Sequence, residues 1–167
     1  MATVNGLELP LSCPLLINGE EGKAGSGRQF RRENPADVRQ VATVAEEGTQ
    51  ADARAAIDAA RAAFDGNAGN WIYNYKLREQ VLSRTARLMR DHADRLARVV
   101  SLEVGMPMRQ AVPHIGAAAD IFEFYAGLAG KLYGESFTLP TGSLTRLIVE
   151  PLGSVKLSPY SLPASPA

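Results

Sequence analysis

Few residues of this 167-residue chain are of types that carry covalent or acid–base chemistry. Cys13 is the single thiol. A cysteine nucleophile has to be a thiolate, which needs a cationic or helix-terminal setting. The nearest basic residue in sequence is Lys23 and the nearest histidine is His92, so Cys13 reads as inert. His92 and His114 show no H-x-x-x-H spacing and no carboxylate at ligand distance in sequence, so both read as surface or packing residues. Gly22, Gly25 and Gly27 have the composition of a phosphate loop. That loop needs a Lys and a Ser/Thr directly after its last glycine, whereas Lys23 precedes two of the three, so the segment reads as a turn. Arg84, Arg87, Arg90, Arg95 and Arg98 form a basic run interspersed with Glu79, Asp91, Asp94 and Glu103, which predicts a solvated, ion-paired helix face. Trp71, Phe122, Phe124 and Tyr125 read as core anchors. Residue spacing alone therefore names no catalytic, cofactor or metal site.

The elements that hold these residues follow from periodicity. The first 48 residues are broken by Pro, Gly and Asn, with short apolar runs at Pro14 to Asn18 and Val41 to Val44 that predict strands joined by turns. From Thr49 the period becomes helical, with Ala53, Ala56, Ile57, Ala60, Ala63 and Phe64 on one face and Thr49 and Asp52 spaced as a cap. A second helix is predicted from about Tyr75 to Ser101 with the stripe Leu77, Val81, Leu88, Leu96 and Val99, stopped by Gly105 and Pro107. A third runs from about Gln110 to Ala129, with Pro113 tolerated in its first turn. Ser136 to Leu139 and Leu144 to Glu150, joined by Pro140-Thr141-Gly142-Ser143, predict a two-stranded ribbon. Such a ribbon is marginal alone and needs a partner, either the N-terminal strands or another chain. Residues 156–167, rich in Pro and Ser, read as a loose tail.

Composition bounds the function classes. With 46% apolar and 22% charged residues the chain is globular, and 18 basic against 18 acidic residues leave no excess for nucleic acid or an anionic membrane. One cysteine gives no disulfide framework, and no apolar run reaches the roughly 20 residues of a membrane span. A reducing, cytoplasmic setting is expected.

The order of several short segments resembles the opening of the aldehyde dehydrogenase superfamily. Leu16-Ile17-Asn18-Gly19-Glu20 is similar to its "INGE" strand and Glu33-Asn34-Pro35-Ala36 to its "NPA" turn. Ile57 to Phe64 is similar to its "AxxAARAAF" helix, followed by Trp71, Arg78 and Leu82. Glu103-Val104-Gly105-Met106-Pro107, Phe124-Tyr125-Ala126-Gly127 with Gly134, and Glu150-Pro151-Leu152-Gly153 complete the likeness, which extends from about Leu16 to Pro163.

The resemblance implies an α+β fragment of a Rossmann-like α/β fold. It would have three main helices, N-terminal strands and a protruding hairpin at about 136–150, all within a portion spanning 1–153, with a divergent tail at 154–167. It implies a family activity of NAD(P)-dependent aldehyde oxidation through a cysteine thiohemiacetal. In the family's "PWNFP" motif an Asn amide helps hold the oxyanion. Here Pro159-Tyr160-Ser161-Leu162-Pro163 puts Ser161 at that position, a weak substitute with one shorter donor. The family's nucleophilic Cys, general-base Glu and nucleotide-binding glycines lie downstream of that motif. The chain is thus expected to be a truncated, inactive member with no catalytic, cofactor or metal residues of its own. The alternative is an interaction module that pairs through the 136–150 hairpin with itself or with a full-length relative. Exposed apolar helix faces around Leu77, Val81, Leu88 and Phe122 are expected in either case.

Overall fold

The computed structural model describes residues 2–4, 6–67, 70–153 and 155. The chain runs β1 (Ala2–Val4), β2 (Leu7–Leu9), β3 (Leu11–Cys13), β4 (Leu15–Ile17), β5 (Glu20–Gly22), β6 (Gln29–Asn34), β7 (Asp37–Glu46), then α1 (Gln50–Asp65), α2 (Tyr75–Asp91), α3 (Ala93–Val104), α4 (Met108–Leu128), and finally β8 (Glu135–Thr138) and β9 (Leu144–Leu147).

The strands make small sheets. β7 is central in a three-stranded sheet, antiparallel to β6 and parallel to β3. β4 and β5 form a hairpin whose turn residues, Asn18 and Gly19, both have positive φ, the two-residue geometry that suits strand twist. The β6–β7 reversal at Pro35-Ala36 is held by Asn34, whose Oδ1 accepts from Ala36 N at 3.0 Å while its Nδ2 donates to Gln40 Oε1 at 2.9 Å. That side chain is buried and both its polar ends are used.

The helices follow the predicted punctuation, with two corrections. Thr49 and Asp52 form a reciprocal capping box at the start of α1. Gly105 ends α3 in the left-handed region and donates to Ser101 O. The predicted helix from Tyr75 to Ser101 is two helices meeting at His92, so four helices replace the expected three. No Gly or Pro breaks it; tertiary packing does. α2 lies along α4, whereas α3 turns so that Leu102 enters a cluster with Leu7, Leu9 and Ala42 while Ala97 meets Ala111 and Ile115 of α4. α4 begins at Met108 rather than Gln110, which moves Pro113 from the first turn to the second, on an exposed side of the helix.

The core is aliphatic, mostly alanine with Leu7, Leu9, Leu102 and Ile115, and no aromatic side chain is buried among the described residues. This corrects the reading of the aromatics as anchors. Trp71, Phe122, Phe124 and Tyr125 are all exposed, Phe124 at 63%. α4 meets its neighbours through Ala111, Ile115, Ala119 and Ala126, whose short side chains bring the backbones close and leave no room for rings. Val81, Leu88 and Phe122 keep exposed apolar surface, as expected, whereas Leu77 is half-buried. α1 buries none of its residues. The ribbon β8–β9 pairs only with itself among the described residues, so the N-terminal strands are not its partner.

Candidate functional site

The residues singled out by type do not converge. Cys13 is exposed at the end of β3, in register with Ala45 of β7. His92 sits at the α2–α3 junction, its backbone N–H bonded to Leu88 O, and His114 is exposed on α4. Ser161 lies outside the described residues. Among the described residues no group of three or more His, Cys, Asp or Glu is placed to hold a metal ion, and no helix is long and apolar enough to cross a membrane.

The glycine-rich turn is already furnished with anions. Ala24 N donates to Glu46 Oε2 at 2.9 Å, and Gly25 N donates to both Asp52 carboxylate oxygens at 3.1 to 3.2 Å. The same Asp52 carboxylate accepts from Thr49 N at 2.7 Å at the head of α1. These donors hold Asp52 below the ordinary carboxylate range, the Thr49 backbone first among them. Gln29 and then the Ala24 N–H do the same for Glu46. A phosphate at this turn would meet two carboxylates and find its amide donors taken.

Ion pairs are seen for two arginines of the basic run, Arg90 across helices and Arg98 within α3. Arg90 reaches Asp120 at 2.7 Å and Glu123 at 2.5 Å on α4, which hold its proton more firmly than usual. Arg98 pairs with Asp94 at 2.6 Å. Of the carboxylates predicted to serve this face, Glu103 turns instead to the sheet, accepting from Thr43 Oγ1 at 2.9 Å.

One arginine outside that run bonds three backbone carbonyls. Arg78, in the first turn of α2, donates through Nη1 to Trp71 O at 2.5 Å and Ile72 O at 2.7 Å, and through Nη2 to Ala129 O at 3.3 Å. It ties the α1–α2 connection to the end of α4. Beyond that end, Gly130 lies against the Tyr75 ring, where a Cβ would come within 3.0 Å of Cδ2. At Gly134 a Cβ would stand 2.3 Å from Leu147 O, so the root of the ribbon closes only with glycine there. Sequence reasoning met Arg78 only as one letter of a family pattern; its three carbonyl partners come from segments that the fold brings together.

The ribbon exposes a run of apolar side chains. Phe137, Leu139, Leu144 and Leu147 are all open, with Ile148 at 76% beyond them. Its strands offer unpaired backbone edges.

The family model described as the aldehyde dehydrogenase family matches residues 23–166. The chain is 30% identical to the probable succinate-semialdehyde dehydrogenase (NADP+) of Sinorhizobium fredii, over 99% of this chain and 34% of that protein. It is 32% identical to the NADP/NAD-dependent aldehyde dehydrogenase PuuC of Escherichia coli, over 94% and 32%. Among solved structures, the NAD-dependent aldehyde dehydrogenase from Sinorhizobium meliloti aligns with a TM-score of 0.73 at 31% identity, covering 82% of this chain and 28% of that one. A Staphylococcus aureus betaine aldehyde dehydrogenase in complex with NAD+ aligns with a TM-score of 0.72 at 29% identity, covering 78% and 26%. The chain spans about one third of the length of the curated relatives it matches.

Proposed function

The chain belongs to the aldehyde dehydrogenase family, and from that premise we propose that these 167 residues supply a scaffold portion of the family's fold and do not by themselves oxidise an aldehyde. The family reaction needs a thiolate to attack the carbonyl, a nicotinamide to take the hydride, and a carboxylate-activated water to release the acid. One observation carries the reading. The single thiol, Cys13, lies on β3 ahead of the residues that the family model matches, exposed and away from every histidine in the sequence. The head of α1 does not fit a dinucleotide pyrophosphate, because Asp52 already occupies it. No step is therefore assigned to NAD or NADP here. A lone thiol without a disulfide framework goes with a reducing, cytoplasmic setting. The test is NAD(P)H absorbance with a panel of aldehydes and either nucleotide. No aldehyde-dependent signal is expected, and turnover that tracks the protein through purification would overturn the reading.

The exposed ribbon β8–β9 favours a second reading, in which the chain associates by strand pairing with a second copy or with a longer family member. Size-exclusion chromatography with light scattering, alone and with such a relative, tests it. A concentration-dependent dimer or a mixed complex is expected. A monomer indifferent to concentration and to the relative would end this reading.

A further inference from the structure

We propose that Arg78 is the positioning residue of the ribbon: its guanidinium sets the direction in which β8–β9 leaves the helical layer, and so whether an edge can be presented to a partner. The inference rests on the strand-pairing reading for its consequence, though not for its geometry.

β8 and β9 pair with no other strand among the described residues, so the direction of the ribbon is decided at its root. The outgoing root is the end of α4. There the Ala129 carbonyl, one of the last in the helix and without a following turn to serve it, accepts from Arg78 Nη2. The same planar group accepts no disorder in the other direction, because Nη1 is engaged by Trp71 O and Ile72 O. A guanidinium presents its donors in a fixed fork, so bonds to two segments orient them relative to each other; an ammonium could not do this. Gly130 against Tyr75, and Gly134 against Leu147 O, leave the few residues between helix and strand little freedom to absorb a tilt. Returning from the ribbon, a Cβ at Gly153 would meet the Phe64 ring of α1 at 3.6 to 3.8 Å, so the returning segment passes beside α1. Arg90 also joins α2 to α4, but at Asp120 and Glu123, away from the root. It is the natural control.

The experiment places nitroxide labels at Thr141→Cys, at the ribbon tip, and Arg87→Cys, on the exposed side of α2, in a Cys13→Ser background, and reads the separation by pulsed electron resonance. The parent and Arg90→Gln are expected to give one narrow distance. Arg78→Gln is expected to lose it, giving a broadened or displaced distribution with unchanged helix content by circular dichroism. A parent-like narrow distance in folded Arg78→Gln overturns the proposal. Should Arg78→Gln fail to fold, Arg78→Lys is read instead: it keeps the charge but not the fork, so it too must broaden, and a parent-like distance overturns the proposal equally. Light scattering on the same samples separates the two ideas. A labelled parent that stays monomeric while Arg78→Gln still loses its narrow distance refutes strand pairing and leaves the positioning role standing.

Discussion

Thr43 Oγ1 donates to Glu103 Oε1 at 2.9 Å, joining the middle of β7 to the last turn of α3 across 60 residues of sequence. Thr43 is buried and Glu103 half-buried, so the bond is the polar stitch between the sheet and the helical layer.

Replacing Thr43 by Val keeps the side-chain shape and removes the only hydroxyl. Glu103 then loses a donor in a partly enclosed place, and the chain is expected to lose about 1.5 to 3 kcal/mol of stability, as for a bond to a charged acceptor. Urea denaturation of Thr43→Val against the parent measures it. An unchanged midpoint would show that water serves Glu103 equally well.

The 23–28 turn is held through two carboxylates whose folded values are depressed from the ordinary 3.8 of Asp52 and 4.5 of Glu46. For a depressed acid the stabilisation is fully present above the unfolded value and is lost as pH falls through the folded one. Amide protection factors at Ala24 and Gly25 should therefore hold through neutral pH and decline below about pH 4. Asp52→Asn should lower Gly25 protection above about pH 4 and flatten its acid decline. A flat profile in the parent through the acid range would contradict the assignment.

Gly134→Ala forces a methyl against Leu147 O, where the ideal Cβ would lie at 2.3 Å. The ribbon must open or slip, since a backbone carbonyl held in a ladder cannot yield as a side-chain tip can. Cross-strand NMR contacts between Phe137 and Thr145 should vanish while the thermal midpoint moves little, because the ribbon lies outside both core clusters. Retained contacts with a parent-like spectrum would refute the close approach.

Gly105 has φ of 72° and its Cβ position stands 3.2 Å from Pro35 Cβ. Gly105→Ala should cost about 1 to 2 kcal/mol, combining left-handed strain with displacement of the Pro35 turn. Gly105→Asn tests the balance, since asparagine tolerates the backbone but not the contact. Equal losses in both variants point to the contact; a much smaller loss for Asn points to the backbone.

Signals confined to one turn were legible in the sequence. The Thr49/Asp52 spacing is a capping box in the structure and Gly105 does end its helix, whereas Asn18, read as the end of a strand, turns a hairpin with Gly19. The site was less so. The interpretation of the glycine segment as a turn holds for Gly25 and Gly27, while Gly22 ends β5; Glu46 and Asp52, which fill the turn's amides, were not paired with it, because they act from 22 and 27 residues away. The aromatics were misplaced for a related reason. Hydrophobicity says that a ring prefers burial, and only the alanine-lined packing of α4 decides that none is available among these residues.

By itself, then, the sequence determined the local grammar and the kinship: where helices begin and stop, which residues turn a strand, and the ordered motifs that mark an aldehyde dehydrogenase relative. These depend on backbone preferences and contacts within a few residues. Tertiary structure alone decided the break at His92, the two-sided use of Arg78 and the isolation of the ribbon. Each is settled by which distant surfaces meet. A helix with an unbroken apolar stripe bends when its two halves find different partners, and a guanidinium acquires its role only when carbonyls from two segments arrive on either side of it.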